Sequence, residues 1–212
     1  MRVRQAQPTD LPGVARVYLA AFPETIEQIG ARRLQSAAVE DMMRVCLRAE
    51  PEGFLVAESE GVVAGYAVCP SRSDRIWRTA LREGHVAAML WRWVTGRYGL
   101  GLRPALRLVM DKLHFWRASG VPGADCRARV LSIAVDPGFQ GRGIGRRLLE
   151  AGLAYLRARE VPCVRLEVRP DNVPAKRLYE GLGFEPAGTV HDTRGPWLVM
   201  VLRWPDDAEA RA

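Results

Sequence analysis

The chain has 212 residues, 48% hydrophobic and 26% charged, enough for one well-buried core and unlike a disordered or fibrous protein. Its formal charge of +7 leaves nucleic acid, anionic membrane and acidic substrates open as partners. No apolar run reaches the ~18 residues of a membrane span, because Arg92 interrupts the stretch near Trp91. Met1 to Asp10 carries Arg2, Arg4 and Asp10 where a signal peptide has its apolar core, so the expected compartment is the cytoplasm.

In chain order, Val3 to Gln5 suits a first strand, and Thr9 or Asp10 suits the cap of a helix carrying Leu11, Val14, Ala15 and Tyr18. A second helix is predicted over Leu34 to Ala49, ended by Pro51 and Gly53. Phe54 to Glu58 and Val62 to Val68 read as two strands about a Glu60-Gly61 turn. Alternation resumes at Arg129 to Val135 (strand), Gly143 to Arg159 (helix), Val164 to Val168 (strand) and Pro174 to Leu182 (helix). Phe184 to Val190 and Trp197 to Arg203 close it as strands. This order implies a mixed α/β sheet with flanking helices, one domain over 1–204, and a loose tail over 205–212.

Ser71 to Asp125 interrupts the alternation between the third and fourth strands. One amphipathic pattern runs from Ile76 to Val94, with a kink expected at Gly84, and another from Leu106 to Trp116; together they suggest a helical hairpin. Ten basic residues against four acidic give this insertion +6 of the chain's +7, and it holds Trp77, Trp91, Trp93 and Trp116 of the six tryptophans. The aromatics suit the hairpin's own core with arginines as a solvated face. They equally suit an acceptor-pocket lid, a homodimer contact, or a docking surface for membrane or RNA.

Cys46, Cys69, Cys126 and Cys163 are widely spaced, with no Cys-x-x-Cys and only three histidines, so no metal site is expected. They read as buried thiols, with Cys69 and Cys126 meeting at the base of the insertion.

Gln140-Gly141-Arg142-Gly143-Ile144-Gly145 falls between an apolar run and a helical pattern. Alternate glycines allow a tight turn with exposed N–H groups, and the helix that follows adds the positive end of its dipole, so the stretch suits a pyrophosphate. The dinucleotide pattern would need glycine at Arg146, and the P-loop would need lysine at Ile144; both fail. By itself such a turn is also ordinary loop chemistry.

This stretch, together with Leu166-Glu167-Val168-Arg169, Asn172, Ala175, Leu178-Tyr179 and Gly183-Phe184, resembles the Gcn5-related N-acetyltransferase (GNAT) family. Leu166 to Phe184 is similar to the bacterial ribosomal-protein N-terminal acetyltransferases within it. The resemblance implies acetyl-CoA as cosubstrate, with Gln140, Gly141, Arg142, Gly143, Ile144, Gly145 and Arg146 around its pyrophosphate. Ile133 and Val135 would offer backbone groups to the pantetheine arm, and the strand Val164 to Val168 would splay away to leave a gap for it. Glu167 corresponds to the general base and Tyr179, twelve residues on, to the general acid. Asn172, the chain's single asparagine, suits a helix N-cap and, through the resemblance, a CoA contact.

Each residue also has a structural reading: Glu167 as an ion pair with Arg165 and Arg169, Tyr179 as a core aromatic beside Leu178 and Leu182. The implied activity is acetyl transfer to a primary amine, a peptide N-terminus or a small molecule, through a ternary complex without metal. The rival is a non-catalytic, CoA-regulated docking module using the insertion on membrane or RNA.

Overall fold

The computed structural model describes residues 1–28, 35–99, 101, 126–192 and 195–204. In chain order the elements are β1 (Arg2–Gln5), α1 (Leu11–Ala21), α2 (Pro23–Gln28), α3 (Ser36–Ala49), β2 (Phe54–Ser59), β3 (Val62–Val68), α4 (Asp74–Arg82) and α5 (His85–Val94). β4 (Ala128–Arg129), β5 (Ser132–Val135), α6 (Ile144–Ala158), β6 (Cys163–Val168), α7 (Val173–Glu180), β7 (Glu185–Asp192) and β8 (Gly195–Arg203) follow.

The expected mixed, mostly antiparallel α/β architecture is present as two four-stranded sheets, ordered β1-β2-β3-β5 and β4-β6-β8-β7. Among the described residues, only the β4·β6 pair is parallel. The predicted single strand over Arg129 to Val135 is divided between the sheets. Val130 N–H donates to the Arg165 carbonyl at 3.0 Å in one sheet, and the next residue, Leu131, donates to the Val68 carbonyl at 2.8 Å in the other. From that point β5 follows β3 and leaves β6.

The apolar periodicities decide which face each helix covers. Leu148, Leu149 and Leu156 of α6 pack with Leu55, Ala57 and Ala67 of the first sheet and Leu166, Val168 and Phe184 of the second region, forming one core across both. On the other face of the first sheet, Leu11, Val14, Val39 and Met43 from α1 and α3 meet Phe54, Val56, Tyr66 and Val68. Each fully buried leucine contributes about 1.5–3 kcal/mol, so removing α6 would dismantle both sheets.

Two expectations of local structure need correction, and two others are not tested. Gly84 adopts φ +71°, a left-handed conformation open to glycine, and separates α4 from α5 rather than kinking one helix. The second amphipathic pattern, Leu106 to Trp116, and the tail over 205–212 lie outside the described residues. Asp10 does not cap α1 with its side chain; its carboxylate turns back to accept from Gln7 N–H and the Arg4 guanidinium.

The cysteines differ most. Cys126 and Cys163 form a disulfide, and Cys46 and Cys69 alone are buried thiols. Ala128 pairs with Val164 and Arg129 with Arg165, so the parallel ladder brings the residues just before β4 and at the start of β6 together. Separation in sequence concealed that neighbourhood.

Candidate functional site

The site is assembled where β5 ends, α6 begins and β6 diverges. Asp136 N–H donates to Ala64, its opposite number in the β3·β5 register, so Ala134 and Ser132 also turn their backbone groups toward β3. Ile133 and Val135 therefore turn theirs toward the other edge, where β6 has departed. Among the described residues, no second strand pairs with that edge of β5. Gln140 Nε2 donates to the Val135 carbonyl at 3.3 Å, folding the turn back over the strand end.

Gly141 at φ +75° and Gly143 at φ +73° both occupy the left-handed region, and a Cβ added to either would meet nothing within 4 Å. Gly143 is the N-cap of α6 and no side chain accepts its first N–H groups. Arg147 N–H is the donor to the Gly143 carbonyl, so the preceding N–H groups at the helix start have no acceptor within the helix. The result is an open, positively polarised concavity. Arg142 lies 3.6 Å from Glu60 and over the Phe139 ring, and Arg146 bonds Glu150 at 2.8 Å. Both remain exposed at the mouth. A Cβ at Gly145 would stand at ordinary contact distance, 3.6 Å from Val135 and 3.7 Å from Leu178, so the loop, β5 and α7 share one locality.

Glu167 and Tyr179 occupy opposite faces of the second sheet. Leu166 and Val168 point into the main core with Tyr179, and Glu167 alternates to the far face, where its register partner Val199 packs with Val201 and Cys126. Glu167 Oε1 accepts from Arg165 Nε at 2.6 Å and from Arg129 Nη1 at 3.1 Å. The ion pair expected with Arg165 is present. Arg169 does not join it; it bonds Asp192 at 3.0 Å and lies over the Trp197 ring. Arg129 is a residue that sequence reasoning missed, and only its parallel register with Arg165 brings it to Glu167. Burial pulls the Arg129 guanidinium below its ordinary value, and the charge on Glu167 works against that.

Tyr179 is buried against Phe184, ring centroids 5.9 Å apart. Burial pushes its hydroxyl up to about 12, with a smaller push from Cys69. It therefore stays a proton donor throughout the neutral range. The expected core packing of this ring is present, and it leaves the hydroxyl chemistry intact. Asn172 is the cap of α7, and it does so with its side chain: Oδ1 accepts from Ala175 N–H at 3.2 Å. Asp136 Oδ1 accepts from Gly138 N–H at 2.9 Å, closing the turn after β5. Among the described residues, no three of His, Cys, Asp and Glu come together as metal ligands.

An acetyltransferase fold is thus in place, and the sequence agrees with it. The profile of the Acetyltransferase (GNAT) family matches residues 13–184, and the chain belongs to that family. Over 67 residues it is 49% identical to a mycothiol acetyltransferase of Acidothermus cellulolyticus, a stretch covering 32% of this chain and 20% of that protein. Over 60 residues it is 52% identical to the ribosomal protein bS18-alanine N-acetyltransferase of Salmonella typhimurium, covering 28% of this chain and 40% of the relative. The chain therefore spans well under two thirds of these relatives' lengths. A solved Pyrococcus horikoshii protein, PH1933, shares the fold with a TM-score of 0.62 at 20% identity, over 96% of this chain and 98% of its own.

Proposed function

We propose that the chain is an N-acetyltransferase that moves an acetyl group from acetyl-CoA directly to a primary amine within a ternary complex. The observation that carries this reading is the uncapped, side-chain-free start of α6 beside the free edge of β5. Backbone N–H groups of Gly141 to Arg146 would hold the pyrophosphate, with Arg142 and Arg146 adding charge. Ile133 and Val135 would pair with the pantetheine arm as a strand pairs with a neighbour, and so place the thioester in the gap between β5 and β6.

A group lodged in that gap can be approached from both faces of the sheet, which gives opposite-facing Glu167 and Tyr179 a use together. The Glu167 carboxylate takes the proton as the amine nitrogen attacks the thioester carbon. Its Oε1 is held by two guanidinium groups, and Oε2 is the oxygen the amine meets. As the C–S bond breaks, Tyr179 gives its proton to the departing sulfur. Asn172 supports the first turn of α7, on which Tyr179 rides, and adds a CoA contact.

One relative's name specifies a ribosomal-protein alanine and another's mycothiol, so both a peptide N-terminus and a small-molecule amine remain acceptors for this chain. Incubation with acetyl-CoA and separate peptide and metabolite-amine panels, read by mass, tests the reading. An added acetyl group on one panel is the expected result; no acetylated product on either, with acetyl-CoA left intact, contradicts it.

A further inference from the structure

Of eleven large apolar side chains exposed among the described residues, six lie on the two short helices α4 and α5. On α5, Val86, Leu90 and Val94 recur every fourth residue, with Trp91 beside them; Leu81 adds to them from the last turn of α4. Leu81 is 67% exposed, Leu90 56%, Trp91 70% and Val94 66%. The opposite side of α5 is already occupied. Ala88, Met89 and Arg92 face Ala37, Asp41 and Arg44 of α3 across a cavity of about 360 Å³. Asp41 is buried and accepts from Arg92 and from the Tyr98 hydroxyl at 2.6 Å, which fixes α5 on the body of the protein. The inner side of α5 is thus engaged largely through charged and polar groups, while its outer side is apolar and exposed.

We propose that this outward face docks the protein on anionic phospholipid membrane. The proposal stands apart from the acetyltransferase reading. The exposed residues are mostly aliphatic, which suits hydrocarbon; RNA bases need rings to stack on, and two of the six, Trp77 and Trp91, are rings. A second copy would bring an insertion of net +6 against another of the same charge. Arg78 and Arg82 are exposed on α4, each next in sequence to an exposed apolar residue, Trp77 and Leu81, and would meet lipid phosphates there. Leu81, Val86, Leu90, Trp91 and Val94 would enter the boundary between headgroups and acyl chains, leaving the helices parallel to the surface. No described helix is long and apolar enough to cross a membrane, so the contact is peripheral.

Flotation of the full chain with vesicles tests this. It is expected to rise with phosphatidylcholine vesicles containing phosphatidylglycerol, to stay behind with phosphatidylcholine alone, and to bind less at high salt. The double variant Leu90→Glu/Trp91→Glu is expected to lower the bound fraction at least ~10-fold, since both substitutions put charge where hydrocarbon contact is required. Thermal melting shows whether the variant is folded. If it is not, the single variant Val94→Glu carries the same test. Failure to float with anionic vesicles overturns the proposal, and so does undiminished flotation of a folded variant. A dimer split by these substitutions, or RNA retention abolished by them, in a chain that does not float would assign the face elsewhere and equally overturn it. Because none of these readings uses acetyl-CoA, their outcome is independent of whether the chain transfers acetyl groups.

Discussion

The turn at Gln140 to Arg146 presents backbone N–H groups with no side chain across them, whereas Glu167, on the strand that diverges from it, already holds two guanidinium groups. In the proposed function the first region binds through main-chain geometry, which glycine permits and almost any side chain would obstruct. The second, in the same proposal, works through a carboxylate whose neighbours also hold the strand together. A substitution in the turn should therefore change affinity with little effect on folding, and one at Glu167 should change both.

The largest effect is expected from Gly143→Asp. Gly143 sits at φ +73°, where every side chain is strained, and aspartate visits that region more readily than most residues, so the melting temperature should fall only modestly. Its carboxylate would occupy the place of the pyrophosphate, and acetyl-CoA affinity measured by calorimetry should fall at least ~100-fold. A loss of stability in place of affinity would break the contrast. Next comes Tyr179→Phe, which should lower kcat about 100-fold with acetyl-CoA affinity nearly unchanged in steady-state assays. Undiminished turnover would leave Tyr179 as a core ring only.

Glu167→Gln sharpens the comparison from the other side. Losing the charge beneath Arg129 and Arg165 should cost about 2 kcal/mol in denaturant unfolding, and kcat should fall ~10-fold or more at a temperature where the variant is folded. Full turnover across pH in a destabilised variant would make Glu167 a strut and not a base. The smallest effect belongs to Asn172→Ala, which removes the α7 cap for about 1 kcal/mol. A severalfold weaker acetyl-CoA titration should accompany it; stability loss without that change reduces Asn172 to a cap.

How much of this was legible depended on the range of the interaction. The strands over Phe54 to Val68 and the helix from Gly143 were readable because alternation and helical spacing are local, and the structure places Val62–Val68 as expected. The division of Arg129 to Val135 between two sheets was not readable, since it depends on which neighbour accepts from Val130 and which from Leu131. The Cys126–Cys163 disulfide and the Arg129 contact to Glu167 escaped for the same reason: both follow from parallel register across more than thirty residues. Gly84 was legible as a breaker but not as a full stop between two helices, because glycine alone does not specify φ. At the candidate site, the glycine turn showed itself by spacing, and the opposing faces of Glu167 and Tyr179 needed the packing of α7.

Calorimetric titration of acetyl-CoA into the intact chain, beside the same titration into Gly143→Asp, tests the central claim most directly. A saturable one-to-one isotherm for the parent and its loss in the folded variant are the predicted results. Absence of heat with the parent, or equal binding by both, would contradict the assignment of the α6 entrance as the seat of the pyrophosphate.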